Sequence, residues 1–168
     1  MSYKNIYPKY FLMIALMILT ITFFPKAAHS GHTDILLLSC MDYRLINETE
    51  SYMTNRGLRD KYDHVILAGA SLGATTDKYP AWNQTFWDHL DVAIKLHSIK
   101  KVVVLDHRDC GAYKVILGED FSKDPKKEKS VHIDKLSALA KQIKAKYPNL
   151  EIELLLMDLS GNVETVSD

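Results

Sequence analysis

The chain has 168 residues and only two cysteines, and both cysteines have ionisable neighbours. Cys110 follows His107 by three residues, a spacing that lets a turn direct an imidazole and a thiolate at one metal ion. Asp42 and Arg44 come directly after Cys40. Two cysteines and one histidine suit tetrahedral zinc with an open fourth position, which is typical of catalytic sites. The spacing alone leaves three alternatives open: this metal site, a disulfide or two inert core cysteines.

The pattern of apolar residues predicts strands that alternate with helices. Short apolar runs indicate four strands, at residues 35–38, 64–68, 101–105 and 151–157. Helical spacing predicts three helices between them, at residues 46–58, 86–98 and 133–147. This order is typical of an α/β fold, with a mostly parallel central sheet of four to five strands flanked by helices.

The predicted sheet brings the two reactive clusters together. Ligand sites of parallel α/β sheets lie at the carboxyl ends of the strands. Cys40 follows the first predicted strand and His107 follows the third. We therefore expect both clusters at the same edge of the sheet, in one site.

Residues 1–30 are predicted to be a secretory signal. Lys4 and Lys9 precede an apolar run at residues 11–24, and small residues precede a cleavage site after Ser30. The run is shorter than the ~20 apolar residues that span a bilayer, which favours cleavage over an uncleaved membrane anchor. We expect an exported, periplasmic protein whose mature part, residues 31–168, is one domain. The alternative is a membrane-anchored form of the same domain.

The charge distribution limits the classes of partner. The 21 basic and 21 acidic side chains give a formal net charge of zero. Basic residues form no run with interleaved aromatics, so nucleic acid is not an expected partner. The lysines at positions 126, 127 and 129 stand among acidic residues, including Glu128, and we interpret this segment as a solvated loop. A small-molecule substrate is the expected partner.

Two motifs together resemble those of the β-class carbonic anhydrases. Their signature is Cys-x-Asp-x-Arg followed later by His-x-x-Cys-Gly. The chain carries Cys40-Met41-Asp42-Tyr43-Arg44 and His107-Arg108-Asp109-Cys110-Gly111. The likeness extends over about residues 33–166, because the helix and strand before the second motif and the terminal strand also resemble those of the family.

The resemblance implies a role for each motif residue. Cys40, His107 and Cys110 would bind one zinc ion, whose bound hydroxide would attack carbon dioxide to give bicarbonate. Asp42 would orient the hydroxide, and Arg44 would keep Asp42 ionised and in place. The family's dimers also imply a homodimer or a higher homo-oligomer.

The chain departs from the family pattern beside both motifs. Tyr43 replaces the usual serine, and Asp106 replaces a glycine and is expected to add negative charge near the site. These changes keep two alternatives open. One is a zinc hydrolase of carbon disulfide or carbonyl sulfide, and the other is a non-catalytic relative that binds zinc or bicarbonate.

Overall fold

The computed structural model describes residues 33–166, so the predicted secretory signal lies outside the described residues. In chain order the elements are β1 (Ile35–Ser39), α1 (Ile46–Asn55), β2 (Tyr62–Ile66), α2 (Pro80–His97), β3 (Lys101–His107), α3 (Gly111–Leu117), α4 (Pro125–Lys146), β4 (Glu151–Met157) and β5 (Val163–Thr165). Single 3-10 turns lie at Tyr43–Leu45 and Phe121–Lys123. Within the described part of the chain, no helix is long and apolar enough to cross a membrane.

The five strands form one sheet in the order β2-β1-β3-β4-β5. The first four strands of this order are parallel, and β5 runs antiparallel along β4. Ser39, the last residue of β1, lies opposite Leu105, two residues before the end of β3, so both strands end at the same edge of the sheet. The predicted α/β class with a mostly parallel sheet is confirmed.

Helices cover both faces of the sheet, because alternate strand residues point to opposite faces. One face packs against α2 and α4 through a buried cluster that includes Leu36, Leu38, Phe86, Val102, Val104, Leu136 and Ile143. The other face packs against α1 through Leu37, Met53, Val103, Leu105, Leu155 and Met157. Continuous apolar runs such as 36–38 are therefore buried on both sides, as expected for parallel strands.

Helix α4 begins at Pro125, eight residues before its predicted start. The Asp124 side chain accepts hydrogen bonds from the backbone N–H groups of Lys126 and Lys127, at 3.2 and 3.1 Å. Asp124 is therefore an N-cap, and Pro125 occupies the first helical position, which favours proline. The interpretation of residues 126–129 as a solvated loop is wrong, because they form the first turn of α4.

Candidate metal centre

Cys40 directly follows β1 at the carboxyl edge of the sheet. Its sulfur accepts a hydrogen bond from the backbone N–H of Gly69, with N and Sγ 3.3 Å apart. Gly69 lies in the loop after β2 and has φ of +79°, a left-handed conformation that favours glycine. A Cβ there would also lie 3.2 Å from the Cβ of Ala112. The loop after β2 thus places a donor against the sulfur.

His107 ends β3, and its imidazole is oriented by the next peptide group. Its Nδ1 lies 2.8 Å from the carbonyl oxygen of Arg108, which can only accept. Nδ1 therefore donates its proton to this carbonyl, which leaves Nε2 as the nitrogen available to a metal ion. The N–H of Arg108 donates to the carbonyl of Met157 at 2.9 Å, so the β3–β4 pairing fixes the position of this peptide.

The ligand atoms of Cys40, His107 and Cys110 all lie within 4.8 Å of one another. The two sulfurs are 3.8 Å apart, which excludes a disulfide, whose S–S bond is about 2.05 Å. Two Zn–S bonds of about 2.3 Å at a tetrahedral angle would separate the sulfurs by about 3.8 Å. The sulfur separation therefore fits one shared zinc ion.

The imidazole of His107 provides a second test of this fit. His107 is 4% exposed, and within residues 33–166 its Nε2 is a buried nitrogen without a hydrogen-bond partner. Leaving a buried polar atom without a hydrogen-bond partner costs about 1–3 kcal/mol, so the unpaired Nε2 calls for an explanation. A metal ion shared with the two sulfurs supplies the missing partner.

Without a metal ion, the pKa values of the two thiols are shifted in opposite directions. The hydrogen bond from Cys110 lowers the pKa of Cys40 most strongly, and His107 and the Gly69 N–H lower it further against the effect of burial. The same contact and burial raise the pKa of Cys110. The pair therefore shares one proton, which a metal ion would displace on binding both sulfurs.

Asp42 and Arg44 form a close ion pair beside these ligands. Arg44 donates from Nε to Oδ1 of Asp42 at 2.9 Å and from Nη2 to Oδ2 at 2.8 Å. These hydrogen bonds, aided by the Arg44 backbone N–H and by His107, lower the pKa of Asp42 to about 2. Oδ2 of Asp42 lies 3.8 Å from Nε2 of His107, so the carboxylate adjoins the ligand set. The structure thus brings all five predicted site residues together, and their individual roles stay predictions.

Asp106, which is expected from sequence to add negative charge near the site, lies in a network of hydrogen bonds. It precedes His107 in β3, so its side chain leaves the strand on the opposite face. Its carboxylate is buried and accepts hydrogen bonds from Ser71 N and Oγ, Tyr113 Oη and His132 Nδ1, at 3.0, 2.7, 2.6 and 2.9 Å. Asp106 therefore ties β3 to α3, to α4 and to the loop after β2.

Sequence inspection missed two residues next to the ligands, Asp109 and Glu128. Asp109 accepts from Arg44, with Nη1 and Oδ2 2.8 Å apart. Glu128 is 5% exposed and accepts from the backbone N–H of Asp109 at 2.5 Å. The Asp124-Pro125 helix start was the available signal, because it places position 128 in the first turn of a helix rather than in a loop.

A cavity of about 440 Å³ opens beside the ligand sulfurs. Its lining is largely apolar and comprises Cys40, Met41, Asp42, Tyr43, Ala68, Tyr79, Trp82, Cys110, Gly111, Ala112, Val115 and Ile116. Such a lining accommodates a small apolar molecule next to the sulfurs and Asp42.

The fold and the site define a class, an α/β protein with a Cys-His-Cys group at the strand ends that can hold a metal ion. Residues 30–167 match a family model described as "Putative carbonic anhydrase", and the chain belongs to this family. The predicted family is thus confirmed.

Similar proteins are found both by sequence and by structure. Uncharacterized proteins of Rickettsia conorii and Rickettsia bellii are 44% and 42% identical over 131 residues, which are 78% of this chain and 70% and 80% of theirs. The carbonic anhydrase of Streptococcus mutans has a TM-score of 0.56 at 20% identity, covering 99% of this chain and 100% of its own. A β-carbonic anhydrase of Trichomonas vaginalis has a TM-score of 0.53 at 19% identity, covering 100% and 99%. At these identities the two solved structures show the fold.

Proposed function

We propose that this protein catalyses the reversible hydration of carbon dioxide to bicarbonate, with one zinc ion held by Cys40, His107 and Cys110. One observation carries the proposal: three ligand atoms within 4.8 Å of one another adjoin a carboxylate that an arginine holds in place. Zinc, when bound, lowers the pKa of a coordinated water to about 7 and so supplies a nucleophile near neutral pH.

The chain's own residues bind and orient the reactants. Asp42 stays ionised at neutral pH and offers Oδ2 as a hydrogen-bond acceptor next to the ligands. Arg44 donates one hydrogen bond to each oxygen of Asp42 and so fixes the direction of the carboxylate. The apolar side chains of the cavity admit carbon dioxide without competing for its oxygens.

Stopped-flow carbon dioxide hydration by the zinc-loaded protein tests the proposal, from neutral to alkaline pH. We expect activity in the unchanged protein and a large loss in Asp42→Asn, which removes one acceptor oxygen. Asp63→Asn is the matched control, because Asp63 also binds a basic side chain, His97 Nδ1 at 2.7 Å, but near the start of β2.

Two outcomes would contradict the proposal. Equal losses of activity in Asp42→Asn and Asp63→Asn would show that Asp42 has no specific role in the reaction. Bound zinc without carbon dioxide hydration at any pH would favour the other candidates, a hydrolase of carbon disulfide or carbonyl sulfide or a non-catalytic zinc protein. The apolar cavity suits these small sulfur compounds equally, so the same variants would then be assayed with them.

The proposal also includes assembly and location. A homo-oligomer is supported by exposed apolar residues at the cavity and by the similarity in fold to a tetrameric β-carbonic anhydrase of Sordaria macrospora. Export is supported by the sequence of residues 1–30 alone. N-terminal sequencing of the protein from its native host would give Gly31 as the first residue after cleavage, and Met1 or Ser2 if the segment is kept as an anchor.

A further inference from the structure

The two residues between His107 and Cys110, here named the ligand loop (Arg108 and Asp109), have a conformation that needs support. Asp109 has φ of +53°, in the left-handed region. For a residue other than glycine this conformation costs about 1–2 kcal/mol, although aspartate tolerates it better than most. The loop determines where both ligands point, so whatever holds Asp109 also holds the metal centre.

Glu128 provides this support from the first turn of α4. Its Oε1 accepts the backbone N–H of Asp109 at 2.5 Å, and its Oε2 lies 3.4 Å from Nη1 of Arg108. Both residues of the ligand loop therefore contact one carboxylate, which is buried at 5% exposure. The capped start of α4 at Asp124 fixes the position of Glu128.

The same loop holds Arg44 from the side opposite Asp42. Nη1 of Arg44 donates to Oδ2 of Asp109 at 2.8 Å, and Nη2 donates to the Asp109 carbonyl at 3.0 Å. Arg44 is thus held between Asp42 and Asp109. A continuous series of contacts runs from Glu128 through Asp109 and Arg44 to Asp42.

We infer that Glu128 is a positioning residue for the metal centre. It holds the ligand loop in the conformation that presents His107 and Cys110 to one ion, and through Asp109 it keeps Arg44 on Asp42. The inference rests on the proposed function in taking zinc as the ion. The support comes from the hydrogen bond that the Asp109 N–H donates to a side-chain oxygen, which a glutamate side chain is long enough to place there. The negative charge of the carboxylate is not required.

Two conservative variants separate reach from charge. Glu128→Asp keeps the charge but is one methylene too short to meet the Asp109 N–H, whereas Glu128→Gln keeps an acceptor oxygen at the same reach. Glu164→Asp is the matched control, because Glu164 also binds Arg108, at 2.7 Å from Nη2, but is on β5 and accepts no loop backbone N–H among the described contacts.

Each zinc-loaded protein is mixed with excess chelator and the rate of zinc loss is measured. The visible spectrum of the cobalt(II)-substituted protein reports ligand geometry, and a denaturant midpoint reports stability.

We expect Glu128→Asp to lose zinc about 10–100-fold faster than the unchanged protein, in line with the loss of metal affinity that follows removal of a partner that orients a ligand. Its cobalt spectrum should change, while Glu128→Gln and Glu164→Asp should resemble the unchanged protein. Equal effects of Glu128→Gln and Glu128→Asp, or of Glu164→Asp and Glu128→Asp, would overturn the inference. So would a lower denaturant midpoint of Glu128→Asp with an unchanged spectrum and zinc-loss rate, since that result shows a structural role alone.

The readouts keep this inference distinct from the proposed function. Zinc loss and the cobalt spectrum are measured without carbon dioxide. An unchanged protein that binds zinc but hydrates no carbon dioxide would contradict the proposed function and leave the role of Glu128 to be decided by the variants.

Discussion

At the scale of single residues, Arg44 is the side chain whose geometry is hardest to replace. Its guanidinium reaches both oxygens of Asp42 and two oxygens of Asp109 at once. A lysine ammonium is a single point of charge and cannot make both contacts. We predict that Arg44→Lys keeps zinc but lowers kcat/KM for carbon dioxide about 10–100-fold, the usual cost of losing an outer partner.

Stopped-flow hydration and zinc analysis of the same samples check this prediction. Arg56→Lys is the matched control, because Arg56 pairs with Glu153 at 2.9 Å, away from the ligands. Unchanged kcat/KM in Arg44→Lys would show that charge alone suffices at this position. Loss of zinc together with activity would assign Arg44 to metal retention rather than to the orientation of Asp42.

The two sulfurs predict the behaviour of the metal-free protein. They lie 3.8 Å apart and must approach by roughly 1.7 Å to form a disulfide. The lowered pKa of Cys40 keeps a thiolate ready for oxidation. We predict that protein treated with a chelator in air loses both free thiols, as two cysteines are oxidised to a disulfide and oxygen is reduced to hydrogen peroxide.

Thiol titration over time checks this prediction, with zinc-loaded protein in air and chelated protein without oxygen as controls. Both controls should keep their thiols. Persistent thiols in the chelated, aerated protein would mean that the backbone holds the sulfurs apart. Disulfides between chains would contradict the prediction, because these largely buried sulfurs would then have to reach another molecule.

Sequence spacing identified Cys40, His107 and Cys110 as candidate ligands but left a disulfide and inert cysteines open, and the family resemblance then favoured a shared zinc ion. His107 and Cys110 are close in sequence, and the parallel strand order brings Cys40 beside them. The Asp124-Pro125 helix start could have placed Glu128 in the first turn of a helix, but its contact with the ligand loop depends on where α4 crosses that loop, which no local pattern records. The hydrogen-bond partners of Asp106 could not be predicted, because they belong to three segments that only the fold brings to this strand end.

At the scale of elements, Asp106 joins β3 to its neighbours through a carboxylate that accepts four donors. Burial, together with nearby Asp106, raises the pKa of Tyr113, so its phenol stays a donor. An asparagine would offer one oxygen and turn its NH₂ group toward donors. We predict that Asp106→Asn lowers the free energy of unfolding by about 1–3 kcal/mol, as expected when buried donors lose an acceptor.

Denaturant unfolding of the zinc-loaded protein measures this loss. Asp134→Asn, an exposed position on the same helix as His132, is the control and should change stability little. A loss in Asp106→Asn no larger than in the control would mean that the network relaxes around the amide.

The elements themselves were predictable where the apolar pattern is strong. All four predicted strands exist, with ends shifted by up to two residues. Helices α2 and α4 begin earlier than predicted, at Pro80 and Pro125. The first turn of α4 is polar and carries no apolar period, so it could not be assigned to the helix from the pattern. Helix α3 was not predicted, since seven residues are too few to show a helical period.

At the scale of the whole molecule, the apolar surface around the cavity is the feature that sequence patterns could not locate. Tyr43 is 84% exposed and Val115 is 61% exposed, and both line the cavity beside the ligands. They are 72 positions apart in the chain, so only the fold shows that they form one surface. Exposed apolar patches of this kind mark contacts with other molecules, which agrees with the proposed homo-oligomer.

We predict that Val115→Glu shifts the protein from oligomer to monomer, because a buried carboxylate without a partner would oppose assembly at this surface. Sedimentation over a range of concentrations measures the shift. Val92→Glu is the matched control, since Val92 is 53% exposed on α2 and lies outside the cavity lining. Zinc content should stay the same in both variants, because all three ligands belong to one chain. Equal dissociation by the two variants would place the assembly surface away from the metal centre, and an unchanged protein that is already monomeric would contradict the proposed homo-oligomer.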